Sequence, residues 1–248
     1  MTTGDSRLRA AVIIPVLNEA EVIGRVLDEV PREQVDRVLV VDGGSTDETI
    51  VVAKRHGAEV VKQSEPGYGA ACWAGFQSAS DCDLLVFLDG DYSDPPSEIA
   101  RVLAPVRNGQ ADLVLGCRAF APGTHPVHAR LGNQLVLLIV RALVGQSFSD
   151  LPSFKAISSA CLTGLDMRER TYGWTTEMIV KAARQRLRIV EASVHYRERG
   201  GGRSKVSGTI RGTLGAGYKL ITTAVRCARA SAVPPSIQAS NARSRDVG

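Results

Sequence analysis

Between Ala11 and Arg118 the chain alternates short β-branched runs with helical stretches, and nothing breaks the rhythm. "AAVIIPV" (Ala11–Val16 at its heart) reads as a buried strand bounded by Pro15 and Asn18. "EVIGRVLDEV" then sets Val22, Ile23, Val26, Leu27 and Val30 on one helical stripe. "DRVLVVD" is a second strand. After it a Gly pair turns the chain, and Ser45-x-x-Glu48 has the spacing of a capping box that opens a helix closed by Gly57. "AEVVKQ", "DLLVFLD" and "ADLVLGCR" are further strands. Between them lie "EPGYGAACWAGFQSA", a Gly-rich turn into a helix, and "DPPSEIARVLAPVRNG", a helix with Pro at its start and Gly at its end. Alternation of this kind predicts a parallel α/β sheet with helices on both faces.

The pattern changes after Arg118. "AFAPGTHPVHARLGNQ" reads as loop, "LVLLIVRALVG" as an apolar helix, and "DLPSFKAISSACLTGL" as a turn, a short strand and a short helix. "TTEMIVKAARQRL" is an amphipathic helix, "RIVEASVHYR" alternates like a strand, and "TIRGTLGAGYKLITTAVRC" is a last helix. A single domain over residues 8–228 accounts for these elements. The polar stretch 231–248, with Pro234-Pro235, reads as a disordered tail. The 248 residues are 44% hydrophobic and 23% charged, enough for one sizeable core. Five widely spaced cysteines without a C-x-x-C pair disfavour a disulfide framework or a zinc site and fit a cytoplasmic setting. The N-terminus lacks a signal-peptide apolar core. The longest apolar run, Leu135–Val140, stops at Arg141 and is too short to span a bilayer.

In open parallel sheets, ligands bind at the carboxyl ends of the strands. Polar residues fall there: Asn18 and Glu19 after the first strand, Asp42 after the second, Gly67 to Gly69 after the third, Asp89 and Asp91 after the fourth. Asp89-Gly90-Asp91 is the centre. Two carboxylates across one glycine can face a divalent cation, and hard oxygen ligands suit Mg²⁺ or Mn²⁺ completed by phosphate oxygens. The alternative is a solvated turn. Asp94, just before Pro95-Pro96, reads as an N-cap, and Asp47, inside the Ser45–Glu48 box, as structural. His125, His128 and His195 lack metal spacing, and Trp73 and Trp174 read as packing residues. Gly67-x-Gly69-x-x-Cys72 follows the third strand and lacks its third glycine, so a dinucleotide fingerprint fails.

"VIIPVLNEAEVIGRVLDEV", "VLVVDGGSTDET", "GYGAACWAG", "LLVFLDGDYSDPP" and "VLGCR" follow one another in the order and spacing of family 2 glycosyltransferases with the GT-A fold. "SFKAI", "TEMIVKAA" and "GGRSKVSGT" extend the likeness, which resembles the branch of dolichyl- and polyprenyl-phosphate sugar synthases. The resemblance spans roughly Ala10 to Arg226. It implies a Rossmann-like GT-A fold, a mostly parallel sheet flanked by helices. It also implies inverting transfer of a hexose from a UDP- or GDP-linked donor, with Mg²⁺ or Mn²⁺ on Asp89 and Asp91. Glu19 and Asp42 would hold base and ribose, Pro15 and Leu17 would wall the nucleotide pocket, and Gly67 and Gly69 would line the donor.

On the acceptor side, Arg118, Arg130, Arg203 and Lys205 offer guanidinium and ammonium groups to a polyprenyl phosphate. A phosphate acceptor is already ionised and needs no strong base. A hydroxyl acceptor, the alternative, would need one, with Glu177 or Asp150 nearest; Glu177 is a base, a sugar ligand or a first-turn acid. The sequence departs from the resemblance at Lys155, where relatives usually carry Arg, which bears on the contacts around Asp150. The apolar helix and the last helix, flanked by basic residues, fit a membrane surface on the inner face of the plasma membrane or, equally, a core or a homodimer interface. A non-catalytic nucleotide-binding role is a further alternative. Aromatic residues are only 5% and are not interleaved with the basic ones, so nucleic-acid binding is not expected.

Overall fold

The computed structural model of the chain describes residues 7–119, 127–197, 199–200 and 210–229. Its seven strands are β1 (Ala10–Val16), β2 (Arg37–Asp42), β3 (Glu59–Lys62), β4 (Leu84–Phe87), β5 (Leu113–Ala119), β6 (Lys155–Ser158) and β7 (Ile189–His195). They form one sheet in the order β3-β2-β1-β4-β6-β5-β7. All neighbours run parallel except β6, which is antiparallel to both β4 and β5. The mixed α/β architecture with a mostly parallel sheet is the one the alternation predicts.

The helices are α1 (Ile23–Asp28), α2 (Thr49–Arg55), α3 (Tyr68–Ser78), α4 (Ile99–Arg107), α5 (Val127–Val144), α6 (Ser159–Gly164), α7 (Trp174–Arg184) and α8 (Ile210–Arg229). A 3₁₀ turn over Pro96–Glu98 leads into α4. The period of two in the strands sorts the core into two layers. Ile13, Leu39, Val41, Leu85 and Phe87 pack beneath α3, α5, α7 and α8, together with Trp174. Val12, Ile14, Val40, Leu84 and Val86 face α1 and α4. Trp174 is fully buried and meets Trp73 and Phe87 edge-on or tilted, which makes it a packing residue.

Two local readings need correction. Helix α5 begins at Val127, inside the stretch that reads as loop, because Pro126 and the residues before it stop the pattern but Val127–Gln134 do not. The Ser45–Glu48 capping box is not formed. Glu48 precedes α2 without a side-chain cap, and the Ser45 hydroxyl accepts from Asn18 N–H at 2.9 Å instead. The tail at 231–248 lies outside the described residues.

The register positions the rim. Val16 pairs with Asp42, Asp42 with Lys62, and Ile13 with Phe87. The ends of four parallel strands therefore come level, and the loops that follow them share one edge of the sheet.

Candidate active site

The loops after β1 and β2 are stitched to each other by short polar side chains. Thr46 N–H donates to Asn18 Oδ1 at 2.8 Å, Glu19 N–H to Thr49 Oγ1 at 2.8 Å, and Ala20 N–H to Asp47 Oδ2 at 3.2 Å. Asn18 takes a left-handed backbone (φ 54°) to make these contacts. Asp47 also accepts from Thr49 N–H at 3.0 Å, so it is structural. Asp42 is buried, and its carboxylate accepts from Gly44 N–H and Ser45 N–H at 3.1 and 3.0 Å. It stands at the rim, where the register pairs it with Val16 and places Pro15 opposite Val41.

Asp89 and Asp91 follow β4 on the same edge. Gly90 lies between them because the chain crosses the end of β1 here: a Cβ at Gly90 would stand 2.6 Å from Val16 Cγ1 and 3.2 Å from the Pro15 carbonyl oxygen. Close approach, rather than a positive φ, makes glycine necessary at the centre of the motif. Asp91 folds into a tight turn, its Oδ1 accepting from Ser93 N–H at 3.0 Å and from Ser93 Oγ at 2.6 Å. Asp94 is buried and is not an N-cap. Pro95 holds that position, and Asp94 Oδ2 reaches back to accept from Asp89 N–H at 3.1 Å and Ser153 Oγ at 2.8 Å. It braces the motif.

Lys155 opens β6, opposite Phe87 of β4, and is fully buried. Its ammonium donates to the carbonyls of Pro152 and Ser153 and to Thr175 Oγ1 at 3.0, 2.8 and 2.9 Å. It acts from beneath the acidic motif rather than at an acceptor contact. Burial pulls this ammonium below its ordinary value, against the opposing pull of Asp89 and Asp94. Asp89 itself is pushed up to about 7, first by burial and then by the like charges of Asp94 and Asp91, with Lys155 opposing. The hard carboxylate oxygens of Asp89 and Asp91 suit Mg²⁺ or Mn²⁺. Among the described residues no group of three or more His, Cys, Asp or Glu side chains is placed to hold a metal ion.

Gly67 and Gly69 lie at the rim, but their tightness has another cause. A Cβ at Gly67 would stand 2.3 Å from the Arg170 carbonyl oxygen, and one at Gly69 would stand 2.7 Å from that of Glu169. The first N–H groups of α3 are spent there too: Gly69 donates to the Thr171 carbonyl at 3.2 Å and Ala70 to that of Arg170 at 2.8 Å. The glycines let the 169–171 loop cap the helix, so they do not form an open phosphate cradle.

On the other side, Arg118 forms a two-pronged pair with buried Asp150, both contacts at 2.7 Å, and its guanidinium lies 5.3 Å from the centre of the Tyr196 ring. Burial opposes ionisation of Asp150, but the Arg118 fork holds its carboxyl below the usual range. Glu177 is buried in the first turn of α7, accepting from Arg168 N–H and Glu169 N–H at 3.0 and 2.6 Å and pairing with Lys181 at 2.8 Å. Of its three readings, this geometry is that of the first-turn acid holding a loop. Arg130 lies on α5, and its side chain is outside the described residues, as are Arg203 and Lys205 altogether.

The sequence reading missed Arg199. Its guanidinium donates to Asp91 Oδ2 at 2.9 Å and pairs with Glu19. Gly200 N–H donates to the Asp91 carbonyl at 3.0 Å, and Arg197 N–H to that of Ser93 at 3.0 Å. The segment after β7 thus lies across the acidic motif. No local pattern signals a partner 108 residues away.

A family model for glycosyl transferase family 2 matches residues 11–134. The chain is 37% identical, over 82% of its length and 92% of the relative's, to an uncharacterized glycosyltransferase of Mycobacterium tuberculosis. It is 33% identical, over 83% and 90%, to an undecaprenyl-phosphate mannosyltransferase of Micrococcus luteus. Among solved structures it is similar to glucosyl-3-phosphoglycerate synthase from Mycobacterium tuberculosis in complex with Mn²⁺, uridine diphosphate and glucosyl-3-phosphoglycerate. That match has a TM-score of 0.73 and 26% identity, covering 92% of this chain and 82% of that one.

Proposed function

The chain belongs to glycosyl transferase family 2, and we propose that it moves a hexose from a nucleoside-diphosphate sugar to a polyprenyl phosphate. Asp89 and Asp91 would hold Mg²⁺ or Mn²⁺, which offsets the negative charge gathering on the departing diphosphate. Pro15, Leu17, Glu19 and Asp42 would line the nucleoside pocket. A Mn²⁺ and uridine diphosphate complex of a 26% identical structure supports this donor class.

One observation carries the choice of acceptor. The carboxylates that the rim elements carry outside the D-x-D pair are engaged. Glu19 is paired with Arg199, Asp42 holds Gly44 and Ser45, Asp94 holds Asp89 and Ser153, Asp150 holds Arg118, and Glu177 holds Arg168 and Glu169. A hydroxyl nucleophile needs its proton removed, whereas a phosphate monoester attacks already ionised. The likeness to an undecaprenyl-phosphate mannosyltransferase points the same way.

The outer face of α5 and α8 fits a lipid-borne acceptor. Leu135, Leu138 and Tyr218 are exposed, Arg141 and Arg229 lie in the last turns of the two helices, and neither helix contains an acidic residue. Among the described residues no helix is long and apolar enough to cross a membrane. This face would therefore lie on an anionic surface rather than enter it. A second reading, a soluble phosphorylated acceptor, draws on the solved glucosyl-3-phosphoglycerate synthase complex.

Calorimetric titration with UDP and GDP, with and without Mn²⁺, tests the donor half. Metal-dependent binding of one nucleotide is expected, and binding of neither would overturn the reading.

A further inference from the structure

We propose that Arg199 is a built-in competitor for the metal site, and that its release from Asp91 couples metal binding to nucleotide binding. This rests on the reading of Asp89 and Asp91 as the metal ligands. Asp91 offers a cation two carboxylate oxygens. Oδ1 is committed to both the N–H and the hydroxyl of Ser93, contacts that hold the turn itself. Oδ2 is the oxygen that Arg199 takes at 2.9 Å. An entering cation and the guanidinium therefore compete for the same atom, and their like charges repel each other there.

The surroundings keep Arg199 in place. Its second arm is paired with Glu19, whose side chain is only 8% exposed. The next residue is fastened on both sides: Gly200 N–H donates to the Asp91 carbonyl, and Gly200 O accepts from Arg25 at 3.2 Å. Tyr92, between the motif and this segment, lies between the guanidinium groups of Arg25 and Arg197, each 4.6 Å from its ring centre. The backbone of residues 199 and 200 is thus tied to the motif independently of the side-chain pair. When a cation takes Oδ2, the guanidinium loses one partner but stays at the rim, still held through Glu19. A diphosphate bridging to that cation would bring anionic oxygens to it. A planar five-donor fork suits that exchange of carboxylate for phosphate. Each ligand then eases the entry of the other, which is a coupling free energy between two binding events.

The coupling is measurable without turnover. Free Mn²⁺ is followed by its electron paramagnetic resonance signal in titrations of wild type, Arg199→Gln and Arg199→Lys, each with and without saturating UDP. Circular dichroism checks that the variants are folded. Arg199→Gln is expected to bind Mn²⁺ alone about tenfold more tightly than wild type, about 1.4 kcal/mol. The factor by which UDP tightens Mn²⁺ should shrink by a similar amount. Arg199→Lys, whose single ammonium cannot span Asp91 and Glu19 together, should fall between. A general loosening of the site cannot produce tighter metal binding, so the direction separates competition from structural damage. Unchanged or weaker Mn²⁺ binding by a folded Arg199→Gln would overturn the proposal while leaving the metal site standing. Failure of wild type to bind Mn²⁺ both alone and with UDP would overturn the metal-site reading and the proposal with it.

Discussion

The two halves of the rim are built from different forces. After β1 and β2, hydrogen bonds to backbone N–H groups join loops about thirty residues apart, through neutral Asn18, Ser45 and Thr49 and through the carboxylate of Asp47. Beyond β4, charge does the joining: Arg118 with Asp150, Arg199 with Asp91 and Glu19, and Glu169 with Lys219 and Arg226. Neutral bonds to backbone are set when the chain folds and respond little to salt or pH. In these pairs Asp150, Glu19 and Glu169 are buried while their Arg and Lys partners are partly exposed, so the partners can meet other charges. The difference would suit the proposed donor pocket, of fixed shape, facing a side that meets phosphates.

The junction between the halves should be the most sensitive place. Asp91→Ala removes a proposed ligand oxygen, and kcat/KM should fall by about 10² to 10³, with Mn²⁺ binding lost in the same calorimetric titration. Retained Mn²⁺-dependent activity would move the metal elsewhere. Lys155→Met is next. It leaves Asp89 and Asp94 without their buried cation and should cost about 3 kcal/mol in urea unfolding, since breaking a buried charge arrangement is more expensive than never building it. A cost near zero would mean that those carboxyls are neutral in the folded protein.

The ion-paired half has its own pH signature. Burial opposes ionisation of Glu169, yet hydrogen bonds from Thr171 and the charges of Arg226 and Lys219 prevail and hold it at about 2. A folded-state value below the ordinary one means that this stabilisation is fully present above the usual carboxylate range and is lost as pH falls toward 2. Between pH 5 and pH 3 wild type should lose about 2 kcal/mol more than Glu169→Gln, read from unfolding midpoints at each pH. Parallel pH profiles would mean that α8 does not depend on this carboxylate. The smallest change expected in activity is that of Glu177→Gln. A structural acid should cost less than about tenfold in kcat, against the 10² to 10⁴ of a lost general base.

Much of this architecture can be read from local patterns. Strand–helix alternation, the strand-end placement of Asp42, Asp89 and Asp91, and the packing role of Trp174 all follow from periodicity and composition over a few residues. The rest depends on where distant segments meet. Strand β6 enters between β4 and β5 in the opposite direction, and only that insertion puts Lys155 beneath Asp89. Ser45 has the spacing of a cap but turns to Asn18 once β1 and β2 are neighbours. Gly67 and Gly69 read as a glycine turn lining the donor because the tightness of the turn is visible and its cause, the 169–171 backbone a hundred residues on, is not. Arg199 carries no motif at all, since its meaning lies in the pair with Asp91.

The most direct measurement is transfer itself. Radiolabelled UDP- and GDP-hexoses would be incubated with the protein, Mn²⁺ and either a short-chain polyprenyl phosphate, the corresponding polyprenol or 3-phosphoglycerate. Label should pass to the polyprenyl phosphate, only with Mn²⁺, and not to the polyprenol. Transfer to 3-phosphoglycerate or to the polyprenol, with none to the lipid phosphate, would contradict a phosphate nucleophile and require a base among carboxylates that are otherwise engaged.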